Sequence, residues 1–212
     1  MSLVSASFRL RPLAAKGILC LSLLIAAASR GHAATPAAVT PLPDDPACTA
    51  EDRKYMARAY ELAEIATSRG NSPYGALIVK DGEVLAEFSN DAISSHDVTH
   101  HAETGLISMS SRKFDKKTFA ACTLYTSTEP CIMCCGSINF AGVKRIVYGT
   151  TAIQVTRLHG RTLPIQPLQI REVYTRMGAT SVTILGPLME EQGLAVHAAA
   201  MLKATAPKPA TP

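Results

Sequence analysis

The chain has 212 residues, of which 47% are hydrophobic and 18% charged, and this length is enough to bury one core without disulfides or metal. Its four excess positive charges equal the four basic residues of segment 1–33, Arg9, Arg11, Lys16 and Arg30, which contains no acidic residue. The remaining chain is electrically balanced, and only 5% of the whole sequence is aromatic, so it lacks the composition of a nucleic-acid-binding surface. We therefore expect a compact globular protein, and nucleic acid is an unlikely partner.

Residues 1–33 have the organisation of a secretory signal peptide. Basic residues precede the apolar run 17–28, and the small residues around Ala33 offer a cleavage site before Ala34. This apolar run is shorter than the about 20 residues of a membrane-spanning helix, so we expect no stable membrane anchor. We therefore expect a periplasmic or secreted protein. The alternative is a cytoplasmic or organellar protein in which this leader is not a signal peptide.

Residues 34–47 are rich in proline and alanine and predict a linker, and residues 203–212 predict a disordered tail. The ordered domain is then 48–202. Its first helix has Thr49 as N-cap with Asp52 three residues later, followed by apolar residues at helical spacing from Tyr55 to Ala66.

The next segments alternate between strand and helix patterns. Residues 75–79 and 83–88 predict two strands, and Asp81-Gly82 between them is a hairpin signal. Later elements are a helix from about His101, a strand at 122–126, a helix at 131–141, strands at 143–148 and 181–185, and a last helix from Pro187 to 202. A long connection, 150–180, precedes the last strand. This order predicts an α/β fold, a three-layer α/β/α sandwich.

Three residues form a predicted zinc site. His101 opens one helix, and Cys131 and Cys134 lie three residues apart at the start of another, so both thiols share one helix face. One imidazole and two thiolates are good zinc ligands, and three protein ligands leave one position open for water. A lone C-x-x-C could instead be redox-active or bind structural zinc. His100 would point about 100° away from His101 on a helix, and a fourth thiolate from Cys135 would close the open position.

Glu103 is the predicted acid–base residue. It lies two residues after His101, where its carboxylate can exchange protons with a water at the metal. A salt-bridged surface glutamate is the alternative. Together these residues form the H-x-E…P-C-x-x-C signature of zinc nucleobase deaminases. Of the other cysteines, Cys48 could pair with Cys122, although no spacing rule supports it.

On these motifs the chain resembles the zinc-dependent cytidine and deoxycytidylate deaminase superfamily. Pro73-Tyr74-Gly75-Ala76, and Glu129 before Pro130-Cys131, are similar to the guanine deaminase and nucleoside deaminase branch, which is tRNA-adenosine-deaminase-like. The resemblance implies a cytidine deaminase-like fold with a five-stranded mixed sheet, and two zinc-bearing helices against one face. It also implies that Glu103 is catalytic without binding zinc, that Asn90 hydrogen-bonds the nucleobase, and that the protein is a homodimer. For Asn90, a turn residue is the alternative.

The predicted function is zinc-dependent hydrolytic deamination of a purine base or nucleoside, with guanine or guanosine favoured, releasing ammonia. A tRNA adenosine deaminase and a cytosine or cytidine deaminase are the alternative enzymes. A different class of function is an inactive, zinc-stabilised deaminase-like scaffold. The intact Glu103 favours an enzyme.

Overall fold

The computed structural model describes residues 36–160 and 168–205. The signal peptide predicted at 1–33 and residues 206–212 of the predicted tail lie outside these ranges. No helix within the two ranges has both the length and the apolar character needed to cross a membrane.

The described residues form a five-stranded mixed sheet with helices on both faces. The elements are α1 (Ala50–Ser68), β1 (Gly75–Lys80), β2 (Glu83–Ser89), α2 (Ala102–Ser110), α3 (Lys116–Ala120), β3 (Thr123–Thr128), α4 (Ile132–Ala141), β4 (Arg145–Thr150), α5 (Ala152–Leu158), α6 (Ile170–Arg176), β5 (Thr183–Leu185) and α7 (Glu190–Thr205). The strand order is β2-β1-β3-β4-β5. Strand β1 is antiparallel to both neighbours, whereas β3, β4 and β5 are parallel. The predicted sheet is confirmed.

Side-chain alternation along the strands divides the core into two layers. In β1, Ala76 and Ile78 pack in the cluster that includes residues of α2, α4 and α6, whereas Leu77 and Val79 pack against α1 and α7. Successive strand residues point to opposite faces, and both faces of β1 are covered by helices. This arrangement is the predicted three-layer α/β/α sandwich.

Helix α1 begins with a capping box. The Thr49 hydroxyl accepts from the Asp52 N–H, and the Asp52 carboxylate accepts from the Thr49 N–H. Asp52 also accepts two hydrogen bonds from Arg145, at 2.8 and 2.9 Å, and one from the Tyr125 hydroxyl at 2.7 Å. The N-terminal cap of the helix therefore also joins α1 to β3 and β4.

Two sequence predictions of irregular structure need correction. The connection 150–180 contains α5 and α6, whose apolar residues Val155, Leu158, Ile170 and Val173 are buried. These helices are only seven residues long, too short for a clear periodic pattern. The last helix begins at Glu190, not Pro187, and continues to Thr205, so the segment predicted as a tail from 203 is helical at its start.

Residues 36–47 are not a separate linker. They form neither helix nor strand, but their backbone is bound to the domain. Ala37 N–H donates to the Leu158 carbonyl at 2.9 Å, and Asp45 N–H donates to the Pro187 carbonyl at 2.8 Å. Proline-rich composition indicates an extended backbone, and here that backbone finds its hydrogen-bond partners on α5 and the β5–α7 connection.

The strand directions bring the predicted site residues to one edge of the sheet. Strands β3 and β4 are parallel, so both end at this edge, where Thr128 pairs with Thr150. Strand β2 also ends here, because its Ser89 pairs with Gly75, the first residue of β1. The segments that follow β2 and β3 lead to His101 and to Cys131, so residues 30 positions apart in the chain meet at this edge.

Candidate active site

The three predicted zinc ligands lie together at the starts of α2 and α4. His101 and Cys131 are the N-cap residues of these helices, and neither side chain caps its own helix. The Cys131 Sγ, the Cys134 Sγ and the His101 Nδ1 are each 3.6 Å from the other two. The three donor atoms therefore form an equilateral triangle.

This triangle has the dimensions of a zinc site. In a tetrahedron the distance between two ligand atoms is about 1.6 times the bond length, so zinc bonds of about 2.0–2.3 Å place ligand atoms about 3.2–3.7 Å apart. The observed 3.6 Å lies in this range. Among the described residues, these three form the one group of at least three histidine, cysteine or acidic side chains that could hold a metal ion. Both the donor types and their spacing fit zinc.

The electrostatics of the triangle favour the thiolate at Cys131, whereas the hydrogen bond to Cys131 and burial raise the pKa of the Cys134 thiol. Hydrogen bonds from the Cys134 thiol, from His101 and from the Cys134 N–H lower the pKa of Cys131 to about 4, against the effect of burial. The same contact with Cys131 raises the pKa of His101. Thiolate, rather than thiol, is the form that binds metal ions.

Glu103 lies buried beside the triangle. The Thr126 hydroxyl, 3.1 Å away, donates a hydrogen bond to Oε1, and Oε2 lies 3.4 Å from the Cys134 Sγ. One carboxylate oxygen is thus held by β3, and the other faces the metal site. Removal from water raises the pKa of this carboxyl group, so it accepts a proton more readily than an exposed glutamate does. The alternative of a salt-bridged surface glutamate does not fit this burial.

A cavity of about 700 Å³ opens onto this group of residues. His101, Glu103 and Cys131 lie in its wall. The other lining residues are Ser72, Pro73, Tyr74, Thr128, Glu129, Pro130, Ile132, Ala152, Val155, Thr156, His159, Leu168 and His197. Its size is within the range of small-molecule sites, about 300–1,000 Å³.

Glu129, the residue before Pro130 that resembles the guanine deaminase and nucleoside deaminase branch, has a structural role in the cavity wall. Its carboxylate is buried and accepts from the Ala152 N–H at 3.1 Å and from the Ile170 N–H at 2.9 Å. These two N–H groups belong to the starts of α5 and α6. The residue before the metal-site proline therefore fixes the two helices that follow β4.

Asn90 is near the cavity but outside its lining. It is buried, its N–H donates to the carbonyl of Tyr74, and its Oδ1 accepts from the Ala92 N–H at 3.2 Å. This side-chain contact is the turn geometry that the alternative interpretation expected. Its contact with a nucleobase stays a prediction.

His100 and Cys135, the neighbours of the predicted zinc ligands, have their side chains in other contacts. His100 Nδ1 is 2.9 Å from the Asp91 carboxylate, and its ring packs edge-on against Phe88. The buried Cys135 Sγ lies 3.5 Å from the carbonyl of Pro130. Cys48 and Cys122 are both free, so the disulfide considered between them is not formed.

Sequence interpretation missed two polar residues of the site, Thr126 and His197. Thr126 orients Glu103, and His197 lies buried in the cavity wall with its Nε2 2.9 Å from the Thr128 hydroxyl. The run Thr126-Ser127-Thr128 did carry a signal, because three polar residues at the end of a buried strand need partners. His197 belongs to a helix distant in sequence, and its position depended on the fold.

Comparison with known sequences identifies the same region. Residues 49–150 match the profile of the cytidine and deoxycytidylate deaminase zinc-binding region. A probable cytosine deaminase of Schizosaccharomyces pombe is 32% identical over 154 residues, which cover 69% of this chain and 90% of that protein. The match therefore extends over most of both chains.

Two bacterial relatives match over shorter segments. A tRNA-specific adenosine deaminase of Agrobacterium fabrum is 37% identical over 100 residues, 47% of this chain and 66% of that protein. A guanine deaminase of Bacillus subtilis is 40% identical over 95 residues, 44% of this chain and 61% of that protein. In both, the matched part is less than two thirds of the relative's length.

A solved structure of guanine deaminase from Nitrosomonas europaea has the same fold. It covers 78% of this chain and 96% of its own, with a TM-score of 0.60 and 20% sequence identity. At this identity the likeness is one of fold.

Proposed function

The chain belongs to the cytidine and deoxycytidylate deaminase zinc-binding family, and from this premise we propose that it catalyses zinc-dependent hydrolytic deamination of a purine base or nucleoside. Guanine or guanosine is the favoured substrate, and ammonia is the leaving group. The observation that carries this proposal is the buried Glu103 carboxylate beside the His101, Cys131 and Cys134 triangle, in the wall of a ligand-sized cavity.

Each residue of the site has its own role in the proposed reaction. His101, Cys131 and Cys134 would hold the zinc ion, which supplies a nucleophilic water at neutral pH when it is bound. Glu103 takes a proton from the water and gives it to a ring nitrogen of the substrate. The water oxygen bonds to the ring carbon, and Glu103 takes the second proton of the water and gives it to the amino group. The bond from the ring carbon to the amino group then breaks, and this group departs as ammonia. Thr126 keeps Oε2 turned toward this exchange by holding Oε1.

The preference for a purine is supported by the guanine deaminase of B. subtilis, whose matched segment has a higher identity than that of the probable cytosine deaminase. Cytosine is the second candidate, because the relative named for it is matched over 90% of its length. The cavity of about 700 Å³ has room for either ring system.

A substrate panel tests the proposal. Ammonia release by the zinc-loaded protein is measured with guanine, guanosine, adenine, adenosine, cytosine, cytidine and a tRNA substrate. We expect the highest kcat/KM with guanine or guanosine. Highest activity with cytosine or cytidine would establish the second candidate, and activity confined to tRNA would overturn both. Zinc binding without turnover of any substrate would indicate an inactive scaffold.

The proposed zinc site is tested by metal analysis. We expect about one zinc ion per chain, and loss of zinc when Cys131 or Cys134 is replaced by alanine. Cys135→Ala is the matched control, because Cys135 is buried next to the site but its thiol lies against Pro130. Equal zinc content in all three variants would contradict the ligand assignment.

We further propose that segment 1–33 directs export, which cell fractionation tests. A protein that stays in the cytoplasm with residues 1–33 attached would overturn this proposal.

We also propose that the protein is a homodimer. Ile132 and Phe140 on α4 are 64% and 78% exposed, and these two large side chains offer an apolar contact surface. Light scattering of the purified protein tests this. A monomer at micromolar concentration would contradict it.

A further inference from the structure

Residues 37–42, which we call the strap, run along α5 in the direction opposite to the helix. At the end of α5, the Ala37 N–H donates to the Leu158 carbonyl at 2.9 Å. In the middle of α5, the Gln154 Nε2 donates to the Thr40 carbonyl at 2.7 Å. Leu158 is the last residue of the helix, so its carbonyl has no partner within the helix, and the strap supplies one.

A buried carboxylate joins the strap to the start of the same helix. Glu190, the first residue of α7, is 1% exposed. Its Oε1 accepts from the N–H and the hydroxyl of Thr151, the N-cap of α5, at 2.9 and 2.7 Å. Its Oε2 accepts from the Leu42 N–H. Burying a carboxylate is costly unless hydrogen bonds satisfy it, so Glu190 holds the strap and the N-cap of α5 together.

The residues that follow the strap anchor it independently of α5. The Asp44 carboxylate accepts from the Met189 N–H at 2.7 Å, and the Asp45 carboxylate accepts from the Gly186 N–H at 3.1 Å. Met189 and Gly186 belong to the β5–α7 connection, and Asp44 also forms an ion pair with Arg53 of α1. Because its end is fixed to these elements, the strap can act as a support for α5.

Helix α5 needs such a support because its apolar packing is limited. It has seven residues, fewer than the roughly 12–15 that an isolated helix needs for stability. Its buried residues Val155 and Leu158 belong to neither of the two core layers of the described residues. Ala152, Val155 and Thr156 also line the active-site cavity, whereas Gln154 does not. A displacement of α5 would therefore move one wall of this cavity.

We propose that the strap is a positioning element of the proposed reaction: through Thr40 and Leu42 it holds α5 in place as a wall of the active-site cavity and so determines substrate affinity. This inference rests on the proposed deaminase function. The strap lies outside residues 49–150, which match the deaminase family profile. None of its hydrogen bonds to the described residues reaches the metal ligands or Glu103. Weakening the strap should therefore change KM more than kcat or zinc content.

A pair of variants at Leu42 tests the contact with Glu190. Proline has no N–H to donate, and Pro43 already restricts Leu42 to the extended backbone that proline also adopts. Leu42→Ala is the matched control, because it removes the same exposed side chain and keeps the N–H. With zinc-loaded protein and the most active compound of the substrate panel, we expect Leu42→Pro to raise KM roughly three- to tenfold, the effect of one hydrogen bond.

In the same measurement we expect the parent KM for Leu42→Ala, and the parent kcat and zinc content for both variants. A parent KM in Leu42→Pro, or an equal rise in both variants, would overturn the proposal. A change confined to kcat or to zinc content would also overturn it, because the strap would then act on the metal site or on the whole fold.

A second pair of variants tests the contact with Thr40. Gln154→Met keeps the length of the side chain and removes the Nε2 donor. Gln154 Oε1 also accepts from Arg157 Nη1 at 3.2 Å, so Arg157→Met, which removes that bond alone, is the control. We expect a rise in KM for Gln154→Met similar to that of Leu42→Pro, and the parent KM for Arg157→Met. A parent KM in Gln154→Met, or an equal rise in both, would overturn the proposal, and this pair carries the test if Leu42→Pro does not fold.

Hydrogen exchange separates a failure of the strap from a failure of the proposed function. We expect the amides of α5 to exchange roughly tenfold faster in Leu42→Pro than in Leu42→Ala, because local opening then needs less free energy, and the amides of α4 to be unchanged. Faster exchange of α5 with a parent KM would show that the strap only supports the fold.

If the parent protein deaminates no compound of the panel, the proposed function fails and the strap is decided without turnover. Calorimetric Kd values of the zinc-loaded proteins for guanine and guanosine then replace KM. Weaker binding by Leu42→Pro, together with faster exchange of α5, would support the strap. Equal Kd values, equal exchange in the two Leu42 variants, or no binding by the parent would overturn it.

Discussion

At the scale of single residues, the site depends on the Glu103 carboxylate, whose two oxygens have different partners. Thr126 donates to Oε1 of Glu103, and Oε2 faces the cysteine side of the metal triangle. The hydrogen bond fixes the rotation of the carboxylate, and burial raises its pKa. A group positioned in this way can take up a proton and release it within one reaction cycle.

Replacing Glu103 with glutamine tests this role. The amide keeps the size of the side chain but cannot shuttle protons, and the three zinc ligands are untouched. We expect kcat to fall at least 10²–10⁴-fold, the usual contribution of a positioned acid–base group, with zinc content and melting temperature nearly unchanged. Glu64→Gln, on the exposed face of α1, is the control. Turnover within tenfold of the parent enzyme would show that another residue carries the protons.

At the scale of elements, β1 packs tightly against α1 directly after the α1–β1 connection, whose Ser72, Pro73 and Tyr74 line the cavity. A Cβ atom added to Gly75 would lie 2.4 Å from the carbonyl oxygen of Ala59 and 2.7 Å from the backbone N of Ala63. Both are backbone atoms of α1, which cannot yield as a flexible side chain would. The glycine next to Tyr74 therefore sets the distance between helix and sheet at the cavity wall.

Two glycine-to-alanine variants test this packing. Gly75→Ala forces α1 away from β1, and we expect a loss of about 1–3 kcal/mol in the free energy of unfolding, as for other overpacked cores. Gly136→Ala on α4 is the matched control, because an added Cβ there meets nothing within 4 Å. In a helix interior that change should stabilise the protein by roughly 0.5–1 kcal/mol. Urea unfolding measures both, and a neutral Gly75→Ala would contradict the packing argument.

At the scale of the whole molecule, one buried acid connects three elements. Asp52 on α1 is bound by Arg145 of β4 and by Tyr125 of β3. Burial alone would raise the pKa of Asp52, but the hydrogen bonds from Arg145, from the Thr49 N–H and from Tyr125 hold it well below the usual range. The unfolded chain has an ordinary aspartate pKa of about 3.9. The unfolded state therefore binds the proton first as the pH falls.

This difference predicts how stability depends on pH. The contribution of Asp52 is fully present above about pH 5 and is lost progressively as the pH falls through 3.9 toward the folded-state pKa. We expect Asp52→Asn to be less stable at pH 7 by up to about 3 kcal/mol, the lower end for a broken buried pair, because Arg145 is partly exposed. The variant should also lose less further stability between pH 5 and pH 3. Urea unfolding of both proteins at these pH values checks this. An equal loss in the free energy of unfolding between pH 5 and pH 3 for both proteins would contradict it.

The sequence by itself determined the features that depend on local spacing. The Thr49 cap, the hairpin at Asp81-Gly82 and the α/β order follow from neighbouring residues, and the structure confirms them. The metal triangle and Glu103 could also be inferred, because a helix places Cys131 and Cys134 on one face and because H-x-E and P-C-x-x-C are specific in combination.

Only the tertiary structure decided the features that depend on contacts distant in the chain. The composition of residues 36–47 predicts a linker, but their backbone forms hydrogen bonds with α5 and with the β5–α7 connection. Helices α5 and α6 have only seven residues each, and packing against the rest of the fold determines which of their apolar residues are buried. His197 meets Thr128, 69 residues earlier, because α7 returns to the edge where β3 ends. The physical reason is that these positions are fixed by strand order and helix packing, which join residues that no local pattern relates.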